Sequence, residues 1–155
     1  EMLACNTTGY FPYTPATTLL YGLSEAIAML EEEGLDNVFD RHRRLADACR
    51  EAVSVWGLET VCLNPDEHSN ALTGIMVPEG HDADFVRQMI LDKFDMSLGT
   101  GLGKIKGKAF RIGHLGDINE LTLMGVLCGV EMGMGLAGLP HQPGGVEAAM
   151  RFLSR

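Results

Sequence analysis

Arg111 is the residue whose setting most strongly calls for chemistry. It lies between Phe110 and Ile112 in a short apolar run, inside the stretch from Gly99 to Gly116 that reads GTGLGKIKGKAFRIGHLG. A guanidinium flanked by core residues is costly to place unless something pairs with it. Its planar fork suits a carboxylate in two-point contact. Two readings stay open at about even odds on these grounds: a ligand carboxylate, or a structural ion pair with one of the chain's 21 acidic residues. The glycines with Lys104, Lys106 and Lys108 suggest a phosphate loop only weakly. The GxxxxGK[ST] spacing is missing, and no long apolar strand leads through them into a helix.

A second place is Tyr13-Thr14-Pro15-Ala16-Thr17-Thr18, where several hydroxyls crowd the start of a helix. Free amide donors and the helix dipole favour an anion such as phosphate there. The residues by themselves favour a plainer reading, with Thr14 as N-cap and Pro15 at the first helical position. The four cysteines and five histidines show no metal-ligand spacing. Buried free thiols in a reducing compartment are expected, and no metal.

The elements that position these residues follow from periodicity. Leu19, Leu20, Leu23, Ile27 and Leu30 predict a helix over 16–33, and Leu35, Val38, Leu45 and Val53 a second over 35–54. The triple glutamate 31–33 opposes the first helix's dipole and is expected to be solvated. The Arg41, Arg43 and Arg44 cluster reads as a solvated face. Strands are expected at 58–63, 71–77, 96–98 and 109–112, with a helix capped by Asp82 over 83–93. Residues 119–138 are the most apolar stretch, and Glu131 with five glycines argues against a membrane span. Gly125, Gly129 and Gly133 leave one helix face nearly bare for close packing, and 146–153 closes with a short helix. The fold class is α+β: a small, mainly antiparallel sheet with helices packed on it.

A chain of 155 residues with 46% hydrophobic and 21% charged residues can build one compact core. Its net charge of −9 argues against nucleic acid or an anionic membrane as the main partner. The chain opens on Glu1 without a charged-then-apolar leader, so a cytoplasmic piece of a longer protein is expected.

Two long segments carry a family resemblance. TGYFPYTPATTLLYGLSEAIAMLEEEGLDNVFDRHRRLADACR resembles the opening of the carboxy-terminal part of class V aminotransferases. FDMSLGTGLGKIKGKAFRIGHLGDINE resembles their substrate-arginine segment, and EMGMGLAGLPHQPGGVEAAM the tail of the serine–glyoxylate branch. The resemblance implies a fold-type I homodimer using pyridoxal 5'-phosphate to move an amino group from serine or alanine to glyoxylate. It implies that Arg111 holds the substrate α-carboxylate, with Gly101 and Gly103 in the loop beside it. It also implies that Thr14 contributes to the cofactor phosphate in the partner subunit's site. Phe11 occupies a position where alanine–glyoxylate relatives place a tyrosine, which leaves Tyr13 and Tyr10 as substitutes.

By the same resemblance, residues 1–15 lead in, extended, from a large cofactor-binding domain. Residues 16–155 form the small domain. The Schiff-base lysine belongs to the preceding part of the family's chain, so this portion alone is expected to be inactive. The rival from another class is a non-catalytic α+β ligand-binding or oligomerisation module. A desulfurase or phosphoserine aminotransferase is the rival within the family, and the former would need a loop cysteine.

Overall fold

The computed structural model describes residues 1–155, which form two compact units, Glu1–Val38 and Phe39–Arg155. In the first, α1 (Met2–Asn6) is a single short helix within a stretch expected to be extended throughout. Residues 10–16 then run without regular structure into α2 (Thr17–Glu33). Thr14 does not cap α2, contrary to the sequence reading. Ala16 is the N-cap, at φ −75° and ψ 75°, and the Thr17 amide donates to the Pro15 carbonyl at 2.9 Å. That is an inverse γ-turn, which delays the helix by two residues. Glu31 and Glu32 are exposed, as expected, and Glu33 is half-buried. No residue of α2 is buried.

The helix α3 (Leu35–Val55) begins in the first unit and continues into the second. There follow β1 (Leu72–Met76), α4 (Ala83–Phe94), β2 (Gly99–Thr100), β3 (Ala109–Gly113), α5 (Glu120–Leu136) and α6 (Gly145–Leu153). The sheet has the order β1-β3-β2 and is antiparallel throughout. Two expected strands are absent. Residues 58–63 contribute a lone bridge, Thr60 to Ile75, and the third strand is Gly99–Thr100 where 96–98 was expected. Met96 and Leu98 instead pack on or within the helical core, and Met96 lies against Gly129. Their apolar character comes from helix contact, with no ladder involved.

Alternation along the sheet separates two faces. Thr73, Ile75, Phe110 and Ile112 are buried and pair with one another across β1 and β3. Helices supply most of the rest of that core, with Leu45 and Val53 from α3, Trp56 from the turn after it, Ile90 from α4, and Leu127 and Met134 from α5. The bare face of α5 has the expected use at two of its three glycines. A methyl at Gly133 would fall 2.1 Å from Ile90 Cγ1, and one at Gly129 2.7 Å from Met96 Cε. Gly125 has open space beside it.

Glu131, the carboxylate in the middle of this apolar helix, accepts from Trp56 Nε1 at 2.8 Å and from the amides of Gly144 and Val146 at 2.7 and 2.9 Å. Burial acts to raise its pKa, yet the three donors together hold it below the usual carboxylate value. The basic cluster of α3 is more than a solvated face. Arg41 donates to the Gly116 and Ile118 carbonyls, and Arg44 pairs with Glu120 and the Leu153 carbonyl. Both arginines therefore tie α3 to the segments that bound α5 and end α6. No helix is long and apolar enough to cross a membrane.

Candidate functional site

Arg111 sits mid-way along β3, the central strand, on the face away from the helical core. Its cross-strand partners are Gly74 on β1 and Gly99 on β2. Neither neighbour carries a side chain, so the arginine is left room to lie across the sheet. Its Nε donates to the Thr100 carbonyl at 2.9 Å. A Cβ at Gly99 would stand 3.0 Å from that Nε and 3.1 Å from Arg111 Cβ.

The arginine is half-buried and takes part in no ion pair. The structural-pair reading of Arg111 is thereby overturned, since the guanidinium's fork finds no carboxylate within the chain. A cavity of about 180 Å³ opens beside it, with Val61, Leu72, Gly74 and Ile105 among its walls. A half-buried cation with free donors, on the wall of a small apolar pocket, is suited to a ligand carboxylate.

A network on α4 fixes the strand that holds the arginine. The Thr100 hydroxyl donates to Asp84 Oδ1 at 2.9 Å, and Arg87 Nη1 donates to the same oxygen at 2.8 Å. Arg87 Nε reaches the Leu98 carbonyl at 2.8 Å. The Thr100 hydroxyl, ahead of the adjacent Arg87, holds the Asp84 carboxyl below its usual range. Gly101 is buried where β2 leaves the sheet, and its amide donates to the Ala109 carbonyl at 2.9 Å. Gly103 is exposed, in the short 3-10 turn Gly103–Ile105, at φ +55°. Arg111, Gly101 and Gly103 thus share one strand-loop-strand segment.

Tyr13 and Thr14 belong to the first unit. Both are exposed, both hydroxyls lack a hydrogen-bond partner in the chain, and both line an open cleft of about 700 Å³ formed by residues 9–15. Uncommitted hydroxyls of this kind fit the phosphate edge of pyridoxal phosphate. No residue fits its carbonyl edge, because Lys93, Lys104, Lys106 and Lys108 are all exposed. Of the cysteines, only Cys49 is fully buried, and burial pushes its thiol up to about 11. It is no nucleophile.

Sequence reasoning found Arg111 and missed its supports, Gly74, Gly99, Thr100, Asp84 and Arg87. Gly99 and Thr100 lay inside the glycine-rich run, but their role follows only from the register that sets Gly99 opposite Arg111.

No family model matches the chain. It is 49% identical over 149 residues to serine–glyoxylate aminotransferase from Methylorubrum extorquens, covering 96% of this chain and 37% of that protein. It is 44% identical to L-aspartate–glyoxylate aminotransferase from Paracoccus denitrificans, over 92% of this chain and 37% of that one. In structure it is similar to ureidoglycine–glyoxylate aminotransferase from Bacillus subtilis, with a TM-score of 0.86 at 29% identity. That match covers 92% of this chain and 37% of the crystallised one. The chain thus spans little more than a third of the length of the relatives it matches. By sequence and by fold it is similar to the carboxy-terminal third of glyoxylate aminotransferases, the serine–glyoxylate enzymes among them.

Proposed function

We propose that this chain is the substrate-carboxylate-binding portion of a pyridoxal-phosphate enzyme that moves an amino group from serine or alanine to glyoxylate. Arg111 carries the reading: a half-buried guanidinium on a pocket wall, held at Nε by the Thr100 carbonyl and paired with no carboxylate. Amino acid and 2-oxo acid both bear a carboxylate beside the reacting carbon. One arginine therefore serves both directions of the transfer, by orientation and charge pairing. It moves no proton, because a guanidinium stays protonated in proteins. Glyoxylate recurs in the names of the three relatives, whereas the donor changes from serine to aspartate to ureidoglycine. The serine enzyme shares the highest identity of the three, which favours serine.

The cofactor, when bound, supplies the electron sink at the reacting carbon. Within this chain, Thr14 and Tyr13 offer hydroxyl donors to its phosphate, in the partner subunit's site of a homodimer. Gly101 and Gly103 shape the loop beside the substrate. Residues 1–15 lead in from the cofactor-bearing domain, which holds the reactive lysine, and 16–155 form the small domain of a cytoplasmic enzyme. The test is Arg111→Ala in the full-length protein. The amino-acid KM rises, and kcat/KM falls by a factor equivalent to about 2–4 kcal/mol, the worth of a lost charge-assisted contact. Unchanged kcat/KM for both serine and alanine overturns the reading.

A further inference from the structure

We propose that Gly99 is a positioning residue for the substrate: its missing side chain sets where the Arg111 guanidinium lies. This rests on the reading of Arg111 as the group that binds the substrate carboxylate. Gly99 and Arg111 are direct cross-strand partners, and side chains of such pairs project from the same face. With only hydrogen at 99, the arginine folds down over the β2 backbone and reaches the Thr100 carbonyl with Nε at 2.9 Å. One donor is thereby spent on the scaffold, and both terminal nitrogens keep theirs for a ligand. A carboxylate gripped by the two terminal nitrogens needs the guanidinium plane fixed, and the Nε bond fixes it.

The added methyl of Gly99→Ala has nowhere to go without moving Arg111. It would stand 3.0 Å from Nε, 3.1 Å from Cβ and 3.4 Å from Cζ. The Cβ contact must open by a few tenths of an ångström, and the Nε contact turns the guanidinium away from its bond to Thr100. The strand itself is braced by α4, through Asp84 to the Thr100 hydroxyl and Arg87 to the Leu98 carbonyl. β2 therefore does not follow the displaced arginine. Asp84 is a second, more distant support of the same geometry.

The experiment is a double-mutant cycle in the full-length, cofactor-loaded enzyme, using Gly99→Ala and Arg111→Ala with serine and glyoxylate as varied substrates. Gly99→Ala is expected to raise both KM values roughly tenfold, with kcat within about threefold, and to add nothing further in the Arg111→Ala background. A crystal structure of Gly99→Ala is expected to show the Arg111 guanidinium displaced and its Nε bond to the Thr100 carbonyl lengthened. An unaltered KM, or an equal effect of Gly99→Ala with and without Arg111, overturns the proposal. If Arg111→Ala itself leaves kcat/KM unchanged, the functional reading has failed and this one falls with it. If Gly99→Ala does not fold, Asp84→Ala at the partly exposed end of the brace enters the same cycle, with a KM rise of roughly threefold expected. Additivity of Asp84→Ala with Arg111→Ala would then overturn the proposal.

Discussion

The arginines of this chain show what an arginine does when it is scaffold. Arg41 binds two carbonyls, Arg50 and Arg87 each bind one carbonyl and one carboxylate, and Arg44 bridges Glu120 and Leu153. Arg111 alone among these strand and helix arginines gives a single donor to the backbone and keeps the rest. Its unusual setting was legible in the sequence because a charge between Phe110 and Ile112 breaks the apolar pattern. The supports were not legible, since a glycine opposite an arginine is visible only once the strands are paired. Thr14 shows the opposite failure. Its hydroxyl before a proline looks like a cap, and the γ-turn at Ala16 removes it from that work.

Gly101 provides a sharp test at this scale. A methyl there would lie 2.1 Å from the Ile105 carbonyl oxygen and 2.9 Å from that of Ala109. Both obstacles are backbone, and neither can turn aside as a side chain would. Gly101→Ala is therefore expected to destabilise by at least about 2 kcal/mol and to disorder the loop next to Arg111. Thermal melting of the full-length variant checks it, and an unchanged melting temperature would contradict the packing described.

At the scale of elements, the helices α2 to α6 were legible because each repeats its apolar residues over several turns. The strands were less so, being two to five residues long and easily confused with apolar loop residues that pack on helices. Glu131 is instructive because the sequence showed it only as a charge that rules out a membrane span. Its carboxylate in fact joins three parts of the chain, tying the Trp56 indole just after α3 and the amides at the start of α6 to α5. An anion at a helix N-terminus is favourable, and here it also satisfies donors that Gly144 and Val146 would otherwise leave open. Glu131→Ala strands all three donors and is expected to cost about 3 kcal/mol. Glu131→Gln keeps an acceptor oxygen and recovers part of the loss. Denaturant unfolding of both variants measures the difference, and equal stability of Glu131→Ala and the parent would refute the link.

For the molecule as a whole, the acid side of its stability has an imidazole source and a carboxylate one. His114 is buried between Asn70 and Thr73. The Asn70 carbonyl can only accept, so Nδ1 carries the proton and Nε2 accepts from the Thr73 hydroxyl. A second proton on Nε2 would face that hydroxyl in a buried site. Burial accordingly holds the imidazole below its ordinary value of 6.5, against the opposing pull of the Asn70 carbonyl. The unfolded chain therefore takes up this proton more readily than the folded one. Stability is full above 6.5 and is lost as the pH falls from there through the folded value.

Glu131 acts later. Its folded pKa lies below 4.5, so its contribution is present above 4.5 and is lost as the pH falls through the folded value. The net charge of −9 works the other way, because acid relieves self-repulsion. That relief follows carboxylate protonation, so the His114 step, beginning at a higher pH, shows first. Denaturant midpoints recorded between pH 8 and 3 are expected to fall in two stages. His114→Gln, which cannot take up a proton, should flatten the first stage and leave the second, while Glu131→Gln should leave the first and shrink the second, which Asp84 and Glu120 share. A first stage that survives in His114→Gln would place the proton elsewhere and break the assignment of this buried imidazole as the neutral form.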